Sequence, residues 1–74
     1  MMNATASQLR EAFRIANFHR NRANLNRRYA RTYAQCGCDV LARHAARVAR
    51  MEAEAARDAL QDVRVFRAIA MLED

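Results

Sequence analysis

The sequence predicts an all-α fold in which two long helices form an antiparallel hairpin. Ala and Arg, both strong helix formers, dominate the 74 residues, and the chain contains no Pro and only one Gly, Gly37. A β-rich chain needs frequent turns, whereas the turn-forming residues here cluster at a single place. We therefore expect one domain over residues 1–74, with its regular structure in helices.

The turn that separates the two helices is expected at about residues 36–39. Gly37 is able to adopt the left-handed conformation that ends a helix, and Asp39 is a good N-cap for the following helix. These residues predict a first helix over about 5–36 and a second over about 39–72. Two helices joined by so short a turn pack side by side in opposite directions.

The apolar side chains of the first helix follow two different faces. The face that we expect to pack on the second helix is defined by residues at 3.5-type spacing, namely Phe18, Leu25, Tyr29, Thr32 and Cys36. Leu9, Phe13 and Ala16 point to nearly the opposite side of the same ideal helix. Either the helix kinks or breaks near residue 17, or it continues and its N-terminal part packs on another subunit. The absence of Gly and Pro favours the continuous or slightly kinked helix.

The second helix predicts a dimer at the open end of the hairpin. Its apolar stripe contains Leu41, His44, Val48, Met51, Ala55, Ala59 and Phe66. The middle of the stripe is Ala-rich, which gives little burial per residue, and the C-terminal part of the helix is apolar on all sides. A lone hairpin leaves these side chains uncovered, so we expect a homodimeric four-helix arrangement. Its interface is predicted to contain Leu9, Phe13, Val63, Phe66, Ile69 and Leu72.

The basic residues point to an anionic partner. All thirteen are Arg, and the formal net charge is +5. The first helix contains seven Arg and one Glu, whereas residues 39–74 contain six Arg and seven acidic residues. Guanidinium groups bind carboxylates, phosphates and base edges through a planar fork of donors. A GC-rich genome also favours Arg, and a row of charges is also what an ordinary solvated helix face presents.

A ridge on the first helix, opposite the predicted packing face, is the candidate binding site. The residues expected to contact a partner there are Arg20, Asn24, Arg27, Arg28, Arg31 and Tyr33. Like charges four residues apart, as in Arg27 and Arg31, cost helix stability, and Tyr is a frequent interface anchor. No acidic residue lies between Glu11 and Asp39, whereas a face that is merely solvated usually mixes both signs.

The sequence contains no constellation that predicts catalysis or a cofactor. It lacks a nucleophile–base pair, a Gly-rich phosphate loop and a carboxylate pair in a plausible cleft, so we expect a non-enzymatic protein. Cys36, Cys38 and His44 fall short of the four ligands and the spacing typical of zinc sites, and no metal is predicted. We expect no membrane span and a cytoplasmic location.

The predicted layout resembles that of small helical-hairpin dimers such as the plasmid RNA-binding regulator Rop, without a shared sequence motif. The first expectation for function is a regulator or inhibitor of the kind encoded by phages and mobile elements. It would occlude an acidic or nucleic-acid-binding surface of a host protein through the arginine ridge and the apolar helix ends. The alternative is a Rop-like regulator that binds RNA or DNA directly through the Arg/Asn ridge.

Overall fold

The chain folds into a hairpin of two α-helices in the computed structural model, which describes residues 4–73. Helix α1 spans Ala4–Gln35 and helix α2 spans Asp39–Glu73, and the described residues contain no strand. The Cα trace measures 56 × 18 × 11 Å, so the hairpin is one helix thick. The prediction of an all-helical hairpin is confirmed, and α1 is assigned as one helix through residue 17. Neither described helix has the length and apolar character needed to cross a membrane.

The turn between the helices is closed by the backbone of Gly37 and its neighbours. Gly37 has a positive φ of 76°, a conformation that residues with a Cβ adopt at a cost. The amide of Gly37 donates to the carbonyl of Ala34, and the amide of Cys38 donates to the carbonyl of Tyr33. These two bonds form a Schellman motif, which satisfies carbonyls that the end of α1 would otherwise leave unpaired. Because α2 begins at Asp39, the residue in the N-cap position is Cys38, and the Asp39 carboxylate lies in the first turn.

The two helices pack through a seam of small side chains, which we call the alanine seam. The least exposed positions recur at alternating intervals of three and four residues in both helices, the spacing of an antiparallel coiled coil. Ala23 and Ala49, at 2% and 3% exposure, are typical members. Alanine on both sides lets the helix axes approach closely. In α1 the seam contains Thr5, Leu9, Ala12, Ala16, His19, Ala23, Asn26, Ala30 and Tyr33, and in α2 it contains Ala42, Ala45, Ala49, Glu52, Ala56, Ala59, Val63, Phe66 and Ala70.

Most of the larger apolar side chains lie outside the alanine seam. Phe18, Leu25 and Tyr29 were expected to pack on the second helix, and that prediction is wrong, because Phe18 is 55% exposed and the other two are also exposed. The predicted stripe of α2 divides in the same way: Leu41 and Met51 are exposed, whereas Ala59 is buried in the seam. The interface between the helices is therefore built mainly from alanine methyl groups, and one flank of the hairpin keeps a set of uncovered apolar side chains.

Candidate anion-binding face

Arginines from both helices line one flank of the alanine seam, and we call this surface the arginine face. Arg27 and Arg31 of α1 line the same groove as Arg50 and Arg57 of α2, which shows that these helix flanks lie on one side of the hairpin. Arg67 of α2, on the same flank, lies 5.7 Å from the centre of the Phe13 ring of α1. Helical spacing extends the face along both helices. Its arginines are Arg10, Arg20, Arg27, Arg31, Arg43, Arg50, Arg57, Arg64 and Arg67.

The centre of the arginine face is a shallow groove of about 610 Å³. Its floor is made by four alanines from the seam and its edge, and four arginines and one carboxylate form its walls. Small side chains on the floor allow an extended ligand to lie close to the backbone while guanidinium groups reach it from both sides. The lining residues are Arg27, Ala30, Arg31, Ala46, Ala49, Arg50, Ala53, Glu54 and Arg57.

The groove arginines form no ion pair among residues 5–72, and the one carboxylate that lines the groove with them is Glu54. The carboxylates that form ion pairs among those residues are Glu11 and Glu52, and neither pairs with a groove arginine. Arg27 donates to the amide oxygen of Asn24 at 2.9 Å, and this bond leaves its charge uncompensated. Most acidic residues of α2 lie in the seam or on the opposite flank, so the face has a single sign of charge over most of its length. Such a surface raises the local concentration of anions.

A polar cluster in the alanine seam accounts for one of the acidic residues. The Glu52 carboxylate accepts from the His19 ring at 2.5 Å and from Arg22 at 3.1 Å, which ties the two helices together near the middle of the hairpin. The hydrogen bonds from His19 and Arg22 lower the pKa of Glu52 below its ordinary value. Arg22 also lies 5.6 Å from the centre of the Phe18 ring, on the flank opposite the arginine face. The charges of Glu52 and Arg22 therefore compensate each other outside the groove.

The predicted ridge is partly retained. Arg20, Asn24, Arg27 and Arg31 lie on the arginine face, whereas Arg28 is rotated by about 100° from Arg27 to the outer edge of α1. Tyr33 was expected to be a lateral contact residue, but it is half-buried at the turn end of the seam, with its ring 6.4 Å from that of Tyr29. Tyr29, which was expected to pack on the second helix, is instead the more exposed of the two tyrosines.

Sequence reasoning missed the arginines that α2 contributes to the groove. Residues 39–74 contain nearly equal numbers of basic and acidic residues. This overall balance concealed that most of the basic and acidic side chains lie on different sides of α2. Arg43, Arg50 and Arg57 recur every seven residues, so they share one flank, and Glu52 and Asp58 lie on other sides. The seven-residue recurrence was the signal that would have identified them.

The residues predicted for a dimer interface at the open end are distributed over three places. Val63 is buried at 4% exposure in the alanine seam, where Leu9 and Phe66 are half-buried. Phe13 is exposed on the arginine face beneath Arg67. Ile69 and Leu72 are exposed on the opposite flank, so the structure does not bring these six residues together on one surface.

The residues weighed as metal ligands do not form a site. Cys36 and Cys38 are exposed free thiols at the turn, and His44 is exposed on α2 rather than packed in the interface, as its position on the predicted stripe suggested. Residues 4–73 contain no group of three or more His, Cys, Asp or Glu side chains arranged to hold a metal ion.

No family model, curated protein or solved structure matches the chain, so comparison with known proteins assigns no family to it. The site itself defines a hairpin with an extended, predominantly cationic surface.

Proposed function

We propose that this chain is a non-enzymatic regulator that binds the phosphate backbone of a nucleic acid through the arginine face. The observation that carries the proposal is the groove in which Arg27 and Arg31 of α1 face Arg50 and Arg57 of α2 across an alanine floor. A nucleic-acid strand is a linear polyanion with regularly spaced charges. It matches an extended, straight and predominantly cationic surface better than the irregular charge pattern of a typical folded protein does.

The competing proposal is a regulator that occludes a host protein. It depends on spare apolar surface at the open end of the hairpin, where Val63 is buried in the alanine seam but Ile69, Met71 and Leu72 are exposed. An acidic protein surface would satisfy the same guanidinium groups, so this target is the alternative outcome of the test below.

The salt dependence of binding tests the proposal. Each phosphate contact contributes about 0.9 to the slope of log K against log salt concentration on duplex DNA and about 0.7 on single strands. Four groove arginines thus predict a slope of about −3 to −4, and contacts beyond the groove would steepen it. The measurement is fluorescence anisotropy of labelled single-stranded and duplex DNA and RNA oligonucleotides at several salt concentrations.

A charge-matched pair of variants separates the groove from net charge. Arg50→Gln/Arg57→Gln removes two groove arginines and should make the slope shallower by about 1.4 to 1.8. Arg28→Gln/Arg47→Gln removes the same charge from the outer edges of the two helices and should change the slope little. Equal losses in the two variants would overturn the groove as the site. Absence of nucleic-acid binding by the unsubstituted protein at low salt would overturn the proposal and leave a protein target.

A further inference from the structure

The flank of the hairpin opposite the arginine face is apolar, and we call it the apolar face. Arg22 of α1 lies on this flank and reaches Glu52 in the seam from the side opposite the groove. Helical spacing places Met51 and Ile69 of α2 on the same side, so both helices contribute. Charged residues on this flank are few: Glu11, Arg22, Asp58 and Asp62. Its large side chains, most of them exposed, are Ile15, Phe18, Leu25, Tyr29, Leu41, Val48, Met51, Val65, Ile69 and Leu72.

The hairpin alone gains little from its core. The seam buries mainly alanine methyl groups, and none of the described side chains is a large residue below 2% exposure. A chain of this size buries a smaller fraction of its surface than a larger domain does, and it commonly needs association or cross-links for stability. Its two thiols are free, so no disulfide compensates. Covering the apolar face is the remaining route to a substantial hydrophobic contribution.

We infer that the apolar face is covered by a second copy of this chain, which gives a four-helix dimer. The broad side of the hairpin measures 56 Å by 18 Å, a projected area of roughly 1,000 Å² per copy. A stable interface buries about 800 Å² of accessible surface on each partner, so this side is large enough for one. A second copy of the chain is also the one partner that is always present in equal amount. A flat face of this shape can pair with the same face of that copy about a two-fold axis.

Charge determines which faces meet. Two arginine faces in contact would oppose many guanidinium groups and few carboxylates, whereas the apolar face carries one arginine and three acidic residues. The dimer therefore forms through the apolar faces, and its two arginine faces lie on opposite outer surfaces. This interface differs from one at the open end, because Phe18, Leu25 and Met51 near the middle of the hairpin are central to it.

The mass of the protein in solution, measured without nucleic acid, tests the inference directly. Multi-angle light scattering and sedimentation equilibrium at micromolar concentrations should give twice the chain mass of 8.5 kDa. The melting temperature should rise with protein concentration, as it does when unfolding is coupled to dissociation. A mass of 8.5 kDa with a concentration-independent melting temperature would overturn the inference.

Substitutions then locate the interface. Phe18→Glu/Met51→Glu should abolish the dimer, whereas Val40→Glu/Ala68→Glu, on the outer edge of α2, should keep the doubled mass. Because the first variant is at risk of unfolding, a photo-crosslinking phenylalanine derivative at position 18 provides a second readout in the folded protein. It should give covalent dimers, and the same derivative at position 40 should not. Crosslinking at position 40 alone, or a folded dimer of Phe18→Glu/Met51→Glu, would refute the assignment.

Dimer formation and nucleic-acid binding are tested by separate measurements. Arg50→Gln/Arg57→Gln should keep the doubled mass while weakening nucleic-acid binding. A dimer without nucleic-acid affinity would overturn only the proposed function, and a monomer that binds nucleic acid would overturn only the dimer.

Discussion

Replacement of Ala23 by Leu should destabilise the hairpin because the alanine seam has no space for a larger side chain. Ala23 is 2% exposed and faces a helix whose own seam residues are mostly alanine. The three added carbons would contribute about 2.4 kcal/mol of burial if they were accommodated freely. They instead require the helix axes to move from about 8 Å toward 10 Å apart, which uncovers the neighbouring alanines.

Overpacking of this kind costs typically about 1 to 3 kcal/mol net. For a domain of this size each kcal/mol shifts the melting temperature by about 4 to 8 °C, so Ala23→Leu should melt at least several degrees lower than the unsubstituted protein. The assay is thermal unfolding followed by circular dichroism at fixed concentration. Ala68→Leu is the matched control, since it makes the same change in helix propensity at an exposed position. Equal or higher stability of Ala23→Leu relative to this control would refute close packing of the seam.

Three further outcomes follow from the turn, the polar cluster and the two faces. Gly37→Ala should lower the free energy of unfolding by about 1 to 2 kcal/mol, since alanine is strained at a positive φ. No atom lies within 4 Å of the added Cβ, so this cost comes from backbone conformation and not from a clash. Gly37→Asn should lose less stability, and equal losses in the two variants would contradict this cause. Hydrogen bonds lower the pKa of Glu52 below its ordinary 4.5, so its contribution to stability is present above that value and is lost as the pH falls through the lowered pKa. Acid denaturation curves should therefore be flatter for Glu52→Gln than for Asp58→Asn, and identical curves would argue against the cluster. If both proposals hold, the dimer should bridge two labelled duplexes in an energy-transfer assay, and Phe18→Glu/Met51→Glu should remove the signal while retaining binding to one duplex.

The sequence predicted the helices and the turn because those depend on local chemistry. The absence of Pro permits two uninterrupted helices, and Gly37 supplies the positive φ at the one place where a helix must end. The observed bounds, Ala4–Gln35 and Asp39–Glu73, differ from the predicted ones by one residue at each displaced end. The chain also revealed the excess of arginine on α1, so Arg20, Arg27 and Arg31 were identified without the structure.

The choice of packing face was predicted incorrectly because α1 contains two stripes with the same coiled-coil spacing. Hydrophobicity favours the stripe of Phe18, Leu25 and Tyr29, whereas close approach of the helices favours the stripe that contains Ala16 and Ala23. The second stripe forms the seam because α2 presents alanines at matching positions, and this complementarity is a property of the pair of helices.

The sequence by itself determined that this chain forms two long helices with arginine in excess on the first, since backbone propensity and charge are read residue by residue. Only the tertiary structure decided which flanks lie together. Packing through alanines turned Arg50 and Arg57 of α2 toward Arg27 and Arg31 of α1, and it left most of the exposed large apolar side chains on the other side. The physical reason is that the rotation of each helix about its own axis is set by the fit of the two packing surfaces. Once that rotation is fixed, the side of the hairpin on which every other side chain lies is fixed as well.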